Sequence, residues 1–565
     1  MSRPAPITLD VAEVEALLER IAPQIAAADH AHLASLVSTL LEVARLARQR
    51  GATIARLRSM LGQRSSEKTA DVVGASATDA ATTRESEESA TSDANDAPAS
   101  NADAPANDAT GAQGDKPKRK GHGRIPSCAY GVEPTAVPHP TLSPGDPCPA
   151  CARGALFALK DPAPVTRILG QAPLVALRWE CERLRCNACG RVHTAPLPEE
   201  ARGPKYSESA ASMMVVLRYG MGMPLHRLEV MQGMLGAPVP ASTQWQVAAE
   251  HVADVLPVYD VLVELAANAP LVHNDDTYVK VLDLTGKRRD KLVAAGGLEQ
   301  PERTGLFTTG IVAATDVGAI ALFASGRQHA GENLADLLAH RDASLPPPIH
   351  MCDGLERNRS ADHDVVEANC IAHGRRHVVD EVDNHPELCA HVLGEIGKVF
   401  ANEKTCRDGA ITGAERLAFH QRESGPVMAS LRTWIAALFD DKRVEPNSGL
   451  GDALIYLVKR WEPLTLFLRV PDAPLDNNAV ERILKLAIRQ RRASLFYRTM
   501  NGAFVGDVYT ALIVTTHLHG GDPFRYLTAL FTHAKAVAAA PHDWLPWNFQ
   551  VALARLAQPP ARAAA

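Results

Sequence analysis

Apolar residues recur at helical spacing through residues 9–62, and from Leu33 they align as a heptad seam of Leu33, Leu36, Leu40, Val43, Ala47, Arg50, Ile54, Leu57 and Leu61. Arg50 and Gly51 interrupt the seam, so it predicts a short coiled coil that either self-associates or packs on its own chain. The pattern then vanishes. Residues 69–117 are mostly Ala, Ser, Thr, Asp, Asn and Gly, with too little apolar surface to offset chain entropy, and predict a disordered linker. Helical spacing returns over 207–265, where PLHRLEVMQGMLGAPVPASTQWQVAAEHV reads as a helix, a Gly/Pro turn and a second helix with Ser242 as N-cap. Read as a helix-turn-helix, it turns Thr243, Gln244 and Gln246 toward bases; an ordinary helical hairpin fits the same letters.

From Leu271 the spacing shortens to that of strands. LVHNDDTYVKVL is β-rich around Asp275 and Asp276, and TGIVAATDVGAIALFAS predicts a hairpin turning at Asp316-Val317-Gly318. NLADLLAH predicts a short helix, and PIHMCDG a further strand ending on Asp353. Three strands, a helix and a strand, with acids on the first and fourth strands, is the order of a ribonuclease-H-like sheet, in which those two strands are neighbours. Residues 371–470 are mostly helical in pattern, and PLDNNAVERILKLAIRQRR then predicts an amphipathic helix with Glu481 in its first turns and Lys485, Arg489, Arg491 and Arg492 behind it.

Composition adjusts this picture in three places. At 565 residues and 46% hydrophobic, the chain predicts several domains with a sizeable core. The net charge of −6 hides a division: residues 67–117 carry eleven acids against Lys68, Arg84 and Lys116, a local −8 that leaves +2 elsewhere. At the end of that tract, Lys116, Lys118, Arg119, Lys120, His122 and Arg124 form either a solvated charge run or a phosphate-contacting arm. Ten cysteines behind an acidic, amphipathic N-terminus unlike a secretion signal point to a reducing cytoplasm and to metal binding over disulfides. Cys148-x2-Cys151 and Cys186-x2-Cys189 together offer a closed, structural Zn²⁺ shell, with Cys181 or Cys128 as substitute ligands. Cys370-x2-His373 alone is a weak zinc signal.

Asp275, Asp353 and Glu481 carry the candidate chemistry. Each alone reads as a surface charge or a turn. Gathered on one core, three carboxylates suit two Mg²⁺ ions, or Mn²⁺, for in-line phosphoryl transfer. The 128 residues between Asp353 and Glu481 exceed what a bare core needs, so 371–470 reads as a helical insertion, whose His373, Arg375 and Arg376 are candidates for DNA contact.

On these blocks the chain resembles the insertion-sequence-66 family of transposases. HNDDT is similar to the family's first-acid motif, usually His-x-Asp-Glu-Thr, which leaves open whether Asp275 or Asp276 is the ligand. CDG resembles the second-acid motif at Asp353, and LDNNAVER with RQRRASLF the third at Glu481, although RQRRAS departs from the usual Gly-Arg-Lys-Asn run. CIAHGRRHV, SGLGDALIYLVKRWEPLTLFL, the paired cysteine knuckles, LRSMLGQRSSEK and GGDPFRYLTALF resemble further family blocks. LTGKRRDKLVAAGGLEQPERTG reads as an insertion or divergent loop.

The expected architecture is a multidomain α/β chain: helical or coiled-coil 1–68, acidic linker 69–117, zinc-binding 118–205, helix-turn-helix-like 206–268, a ribonuclease-H-like core over 269–370 and 471–510 split by the insertion 371–470, and a helical cap 511–565. The resemblance implies a DDE-type transposase that binds terminal inverted repeats, cuts DNA and joins strands. Arg124, Thr243, Gln244, Gln246, His373, Arg375, Arg376, Lys485, Arg491 and Arg492 are the expected DNA contacts. Double-stranded DNA, a second copy of the chain and small accessory proteins are the expected partners, in the bacterial cytoplasm and on the nucleoid when DNA-bound, with no membrane. The competing readings are a catalytically silent DNA-binding regulator derived from a transposase and a zinc-ribbon nuclease without strand transfer.

Overall fold

The computed structural model of the chain describes residues 140–147, 149, 154–157, 172–185 and 192–557, except 299 and 361, together with Arg20, His30 and Leu33. The heptad seam beyond Leu33, the acidic linker, Arg124 and the four knuckle cysteines lie outside the described residues. Contacts divide the chain into two units, one spanning 84–175 and the other comprising 1–83 and 176–565. Within the first, Gly145 N donates to Leu156 O and Leu156 N to Asp146 O. Within the second, β1 (Arg183–Arg185) and β2 (Val192–Thr194) pair antiparallel.

A helical block follows: α1 (Glu208–Val215), which runs on into a π-turn, α2 (Leu225–Met234) and the long α3 (Ala241–Ala267). Pro240 holds the N-cap position of α3, two residues before the expected N-cap Ser242, which lies inside the first turn. Proline before the first turn fixes φ while sacrificing no intrahelical donor, so the chain enters the helix there.

The centre is a five-stranded sheet built from β3 (Leu271–Tyr278), β4 (Phe307–Thr315), β5 (Gly318–Gly326), β6 (Ile349–Cys352) and β7 (Val366–Asn369), in the order β5-β4-β3-β6-β7. β3 pairs antiparallel with β4 and parallel with β6, so the strand bearing Asp275 and the strand leading into Asp353 are neighbours. α5 (Ala330–Leu338) joins β5 to β6. The tract between β3 and β4, expected as a loop, contains a helix, α4 (Gly286–Ala294). None of its residues is buried, which is why hydrophobic spacing gave no sign of it.

After β7 come α6 (Ile371–Val379), α7 (Pro386–Asp408), α8 (Gly413–Glu423), α9 (Gly425–Asp440) and α10 (Gly449–Lys459). They share a core in which Val392, Leu393, Ile396, Ile435 and Leu454 are fully or almost fully buried, and it is continuous with Met351 of β6 and Ala368 of β7. The chain then returns to the sheet through α11 (Asn478–Ser494) and α12 (Met500–Leu518), and finishes with α13 (Pro523–Thr532) and α14 (Phe549–Ala557). No helix among the described residues is long and apolar enough to cross a membrane.

Candidate active site

Side chains alternate faces along β3, and the sheet's two coverings reveal which acid faces which way. Gly310, opposite Asp275, lies against Leu484 and Val480 of α11, and a Cβ there would fall 2.9 Å from Leu484. Glycine on β4 thus lets the helix bearing Glu481 close onto the strand bearing Asp275. Thr309, opposite Asp276, instead accepts a bond from Asn333 of α5. Asp276 is buried, with its side chain 2% exposed, 3.0 Å from His329 Nδ1 and 3.6 Å from an Arg357 nitrogen.

Asp275 keeps different company. The buried Asn358 amide donates to Asp275 Oδ1 at 3.2 Å and to Asp353 Oδ1 at 2.9 Å, so those two oxygens lie no more than about 6 Å apart, the sum of the two bonds. The backbone amide of Asp276 also donates to Asp275 Oδ1, at 2.8 Å. Burial, followed by the Asp353 charge and with smaller contributions from Asp276 and Glu481, pushes the Asp275 carboxyl up to about 7 against the opposing pull of that amide.

Asp353 sits in a turn held from outside the sheet. Its Oδ1 accepts from Leu355 N at 2.9 Å, and its carbonyl accepts from the Tyr456 hydroxyl of α10 at 2.5 Å. Arg460, just past α10, donates twice to the carbonyl of Gly354 and lies over the Tyr456 ring. Gly354 has φ +79°, and a Cβ there would lie 2.7 Å from Asn369 Oδ1 and Arg460 Nε. Only glycine meets both demands.

Glu481 is brought to the same face by Asn477, at the head of α11. Buried Asn477 accepts from His273 Nδ1 at 3.0 Å, donates to the carbonyl of Asn274 at 2.9 Å, and its backbone amide points at Cys370 Sγ, 3.2 Å away. His273 is held below its usual pKa by burial, which favours the neutral imidazole that donates here. Burial pushes the Cys370 thiol up to about 12, the opposite of what a zinc thiolate needs. Glu481 has His373 Nε2 3.5 Å from one oxygen and an Arg376 nitrogen 3.9 Å from the other. Glu481 Oε1 is buried and accepts no hydrogen bond among the described residues.

The expected DNA contacts divide. Lys485 and Arg492 are exposed, and Gln246 is exposed but bonded to Glu250 at 2.8 Å. Thr243 is half-buried. Gln244 is buried and donates to Val239 O at 2.7 Å, so it braces the turn before α3 and cannot reach a base. Arg375 is buried too, on the inner side of α6, whereas Arg376 lies on its outer side beside Glu481. Arg491 is half-buried and donates to Thr277 Oγ1 at 3.1 Å and to the Tyr278 carbonyl, which ties α11 to β3. An exposed face and a buried one carry the same cation in sequence; packing distinguishes them.

Asn358, Asn477 and Tyr456 were not singled out by sequence reasoning. Asn477 lay within the block around the third acid, but neutral amides have no charge pattern to flag them. A cluster outside the site was also missed: Glu403, Cys406 and His420 place candidate ligand atoms within 4.8 Å of one another. Arg416 and His420 already donate to Glu403 Oε2, and a guanidinium 2.8 Å away opposes a cation, so the cluster reads as a buried brace of the helical block.

Residues 204–504, more than half of the chain, match the family model described as Transposase IS66 family. The chain belongs to the IS66 transposase family. Three Sinorhizobium fredii proteins are similar to it. The first, y4jD, is 25% identical over 419 residues, 71% of this chain and 78% of its own length. The second, y4hP, is 23% identical over 437 residues, covering 73% and 75%. The third, y4qI, is 26% identical over 199 residues, covering 34% and 36%. All three carry the description uncharacterized protein. IS66 membership gives the chain a transposase-related function with DNA as its partner, in a family that generally uses divalent metals.

Proposed function

We propose that this IS66-family chain is a DDE-type transposase, which cuts DNA at its element's terminal inverted repeats and transfers the strands through Asp275, Asp353 and Glu481. The observation that carries the reading is the Asn358 amide spanning Asp275 and Asp353 on neighbouring strands, with α11 pinned to the same strand through Asn477. The strand order β5-β4-β3-β6-β7 with these acids supports a ribonuclease-H-like core.

Divalent cations fit this donor set. Burial and then the neighbouring Asp353 charge raise the Asp275 carboxyl to about 7, and Glu481 Oε1 is buried and accepts no hydrogen bond among the described residues, with His373 Nε2 3.5 Å away. Both are costs that a cation relieves. Asp275, Asp353 and Glu481 would hold the ions, which supply charge neutralisation and nucleophile activation for phosphoryl transfer when bound. The chain's own part is positional. Asn358 sets the separation of the first two acids, and Tyr456 and Arg460 hold the turn that presents Asp353. His373 and Arg376 orient Glu481, and exposed Arg376 would also meet a phosphate bound beside it. Asp276 is assigned to His329 and Arg357, which leaves Asp275 as the first ligand.

The zinc shell of Cys148, Cys151, Cys186 and Cys189 rests on the sequence alone. Metal analysis of the full chain should find about one zinc, lost in Cys186→Ser. The deciding experiment incubates purified protein with labelled DNA flanking its own gene. Specific cleavage with Mg²⁺ or Mn²⁺ is expected, and none with EDTA. Alanine at Asp275, Asp353 or Glu481 should abolish cleavage while DNA binding persists. Full activity in Glu481→Ala would overturn the assignment, and binding without cleavage by the unaltered chain would favour the silent regulator.

A further inference from the structure

α11 carries more than the third acid. On its exposed face Arg482, Lys485, Arg489 and Arg492 recur at three- and four-residue intervals, a single file of cations along one side of the helix. None of the four forms an ion pair among the described residues, and Glu481 is the helix's one acid. The file leads straight into an unusual turn. Leu495 has φ +66° and ψ −38°, and Phe496 N donates to Ser494 O at 2.8 Å, closing a three-residue γ-turn of the strained, positive-φ kind. Burial of Leu495 does little to offset that strain, because Leu495 is 63% exposed, and Phe496 beside it is 40% exposed.

The base beneath this tip is firm. Leu495 N bonds Arg491 O, Tyr497 N bonds Lys280 O, Leu282 N bonds Tyr497 O, and the Tyr497 hydroxyl donates to Gln490 at 2.7 Å. Exposed Leu495 and part-exposed Phe496 therefore sit side by side on an anchored turn, at the end of a cationic helix face.

We propose that the outer face of α11 is a track for the DNA backbone, and that Leu495 and Phe496 form a prong that inserts against the nucleobases at its far end. The inference rests on the transposase reading and deepens it. Charge names the occupant: a file of unpaired cations matches a row of phosphates, whereas an apolar tip at a helix C-terminus, where the carbonyls repel phosphate, matches base faces. Strain kept at an exposed position points to use and not to packing. From Glu481 to Leu495 the helix rises about 21 Å, which is on the order of six base pairs of duplex.

The test uses the full chain bound, with Ca²⁺ in place of Mg²⁺, to overlapping duplexes tiled across the DNA flanking its gene. Each duplex carries 2-aminopurine at successive positions. Fluorescence should rise at one or two neighbouring positions only. Leu495→Gly, which relaxes the turn, and Phe496→Ala should abolish the rise while affinity changes by less than about threefold. A double Arg482→Ala, Arg489→Ala variant should reduce the slope of log affinity against log salt by about two. No rise on a duplex that is bound, a rise that survives both prong variants, or an unchanged salt slope overturns the proposal. Cleavage with Mg²⁺ is read on the same duplexes. Cleavage without a rise removes the prong alone, a rise without cleavage removes the catalytic reading alone, and failure to bind any duplex removes both.

Discussion

At the scale of single residues, Asp275 and Asp276 are chemically identical neighbours with opposite surroundings. Asp275 faces Asp353 and Glu481; Asp276 faces His329 and Arg357. The raised Asp275 carboxyl sets a sign. Its folded pKa, about 7, lies above its unfolded one, so the metal-free protein binds the extra proton and loses stability as pH rises from about 4 through about 7. The loss is on the order of 2–4 kcal/mol. Asp275→Asn should therefore raise the metal-free melting temperature at pH 8 and erase the further rise that Mg²⁺ gives the unaltered chain; a lower melting temperature would contradict this. Asp276→Ala removes a buried carboxylate from half-buried His329 and exposed Arg357 and should cost about 1 kcal/mol at any pH near neutrality, since both partners can turn to water. It should also retain part of the cleavage that Asp275→Ala loses.

Among elements, the helical block from α6 to α10 does more than lengthen the chain between the second and third acids. Its core is continuous with β6 and β7, and α10 reaches back to the turn that carries Asp353 through Tyr456. Tyr456→Phe removes that hydroxyl's bond while keeping the ring beneath Arg460. It should cost about 1 kcal/mol of stability yet slow cleavage further than that cost implies, because the turn loosens around the acid. Gly354→Ala combines a left-handed φ with a 2.7 Å clash and should cost about 1–3 kcal/mol, with cleavage near background. Thermal unfolding and single-turnover cleavage of both variants check this. A Tyr456→Phe enzyme that is less stable but equally fast would make the block a scaffold only.

For the whole molecule, the sheet is clamped from its far edge as well. Buried Asp507 of α12 accepts from the backbone amide of Ser325 in β5 at 2.6 Å and from its hydroxyl at 2.8 Å. Burial outweighs those two bonds and lifts the carboxyl to about 7. Its sign is that of Asp275, with stability present below about pH 4 and lost by about pH 7, so Asp507→Asn should flatten the chemical-denaturation profile across that window. An undiminished slope would mean that Asp507 ionises in the fold without cost. Local pattern determined a good deal of this protein. Strand-like apolar runs marked β3 to β6, a 3.6-residue repeat marked α11, and acids within or at the ends of those runs marked Asp275 or Asp276, Asp353 and Glu481, because periodicity and charge are properties of neighbours in the chain. Contacts between residues far apart in sequence decided the rest. Which of Asp275 and Asp276 lies beside Asp353 depends on which helix covers each face of β3. The withdrawal of Gln244 and Arg375 from the surface depends on what packs against them. The roles of Asn358, Asn477 and Tyr456 exist only once the segments they join have met, since a hydrogen bond across 83, 203 or 103 residues leaves no periodic trace in the sequence.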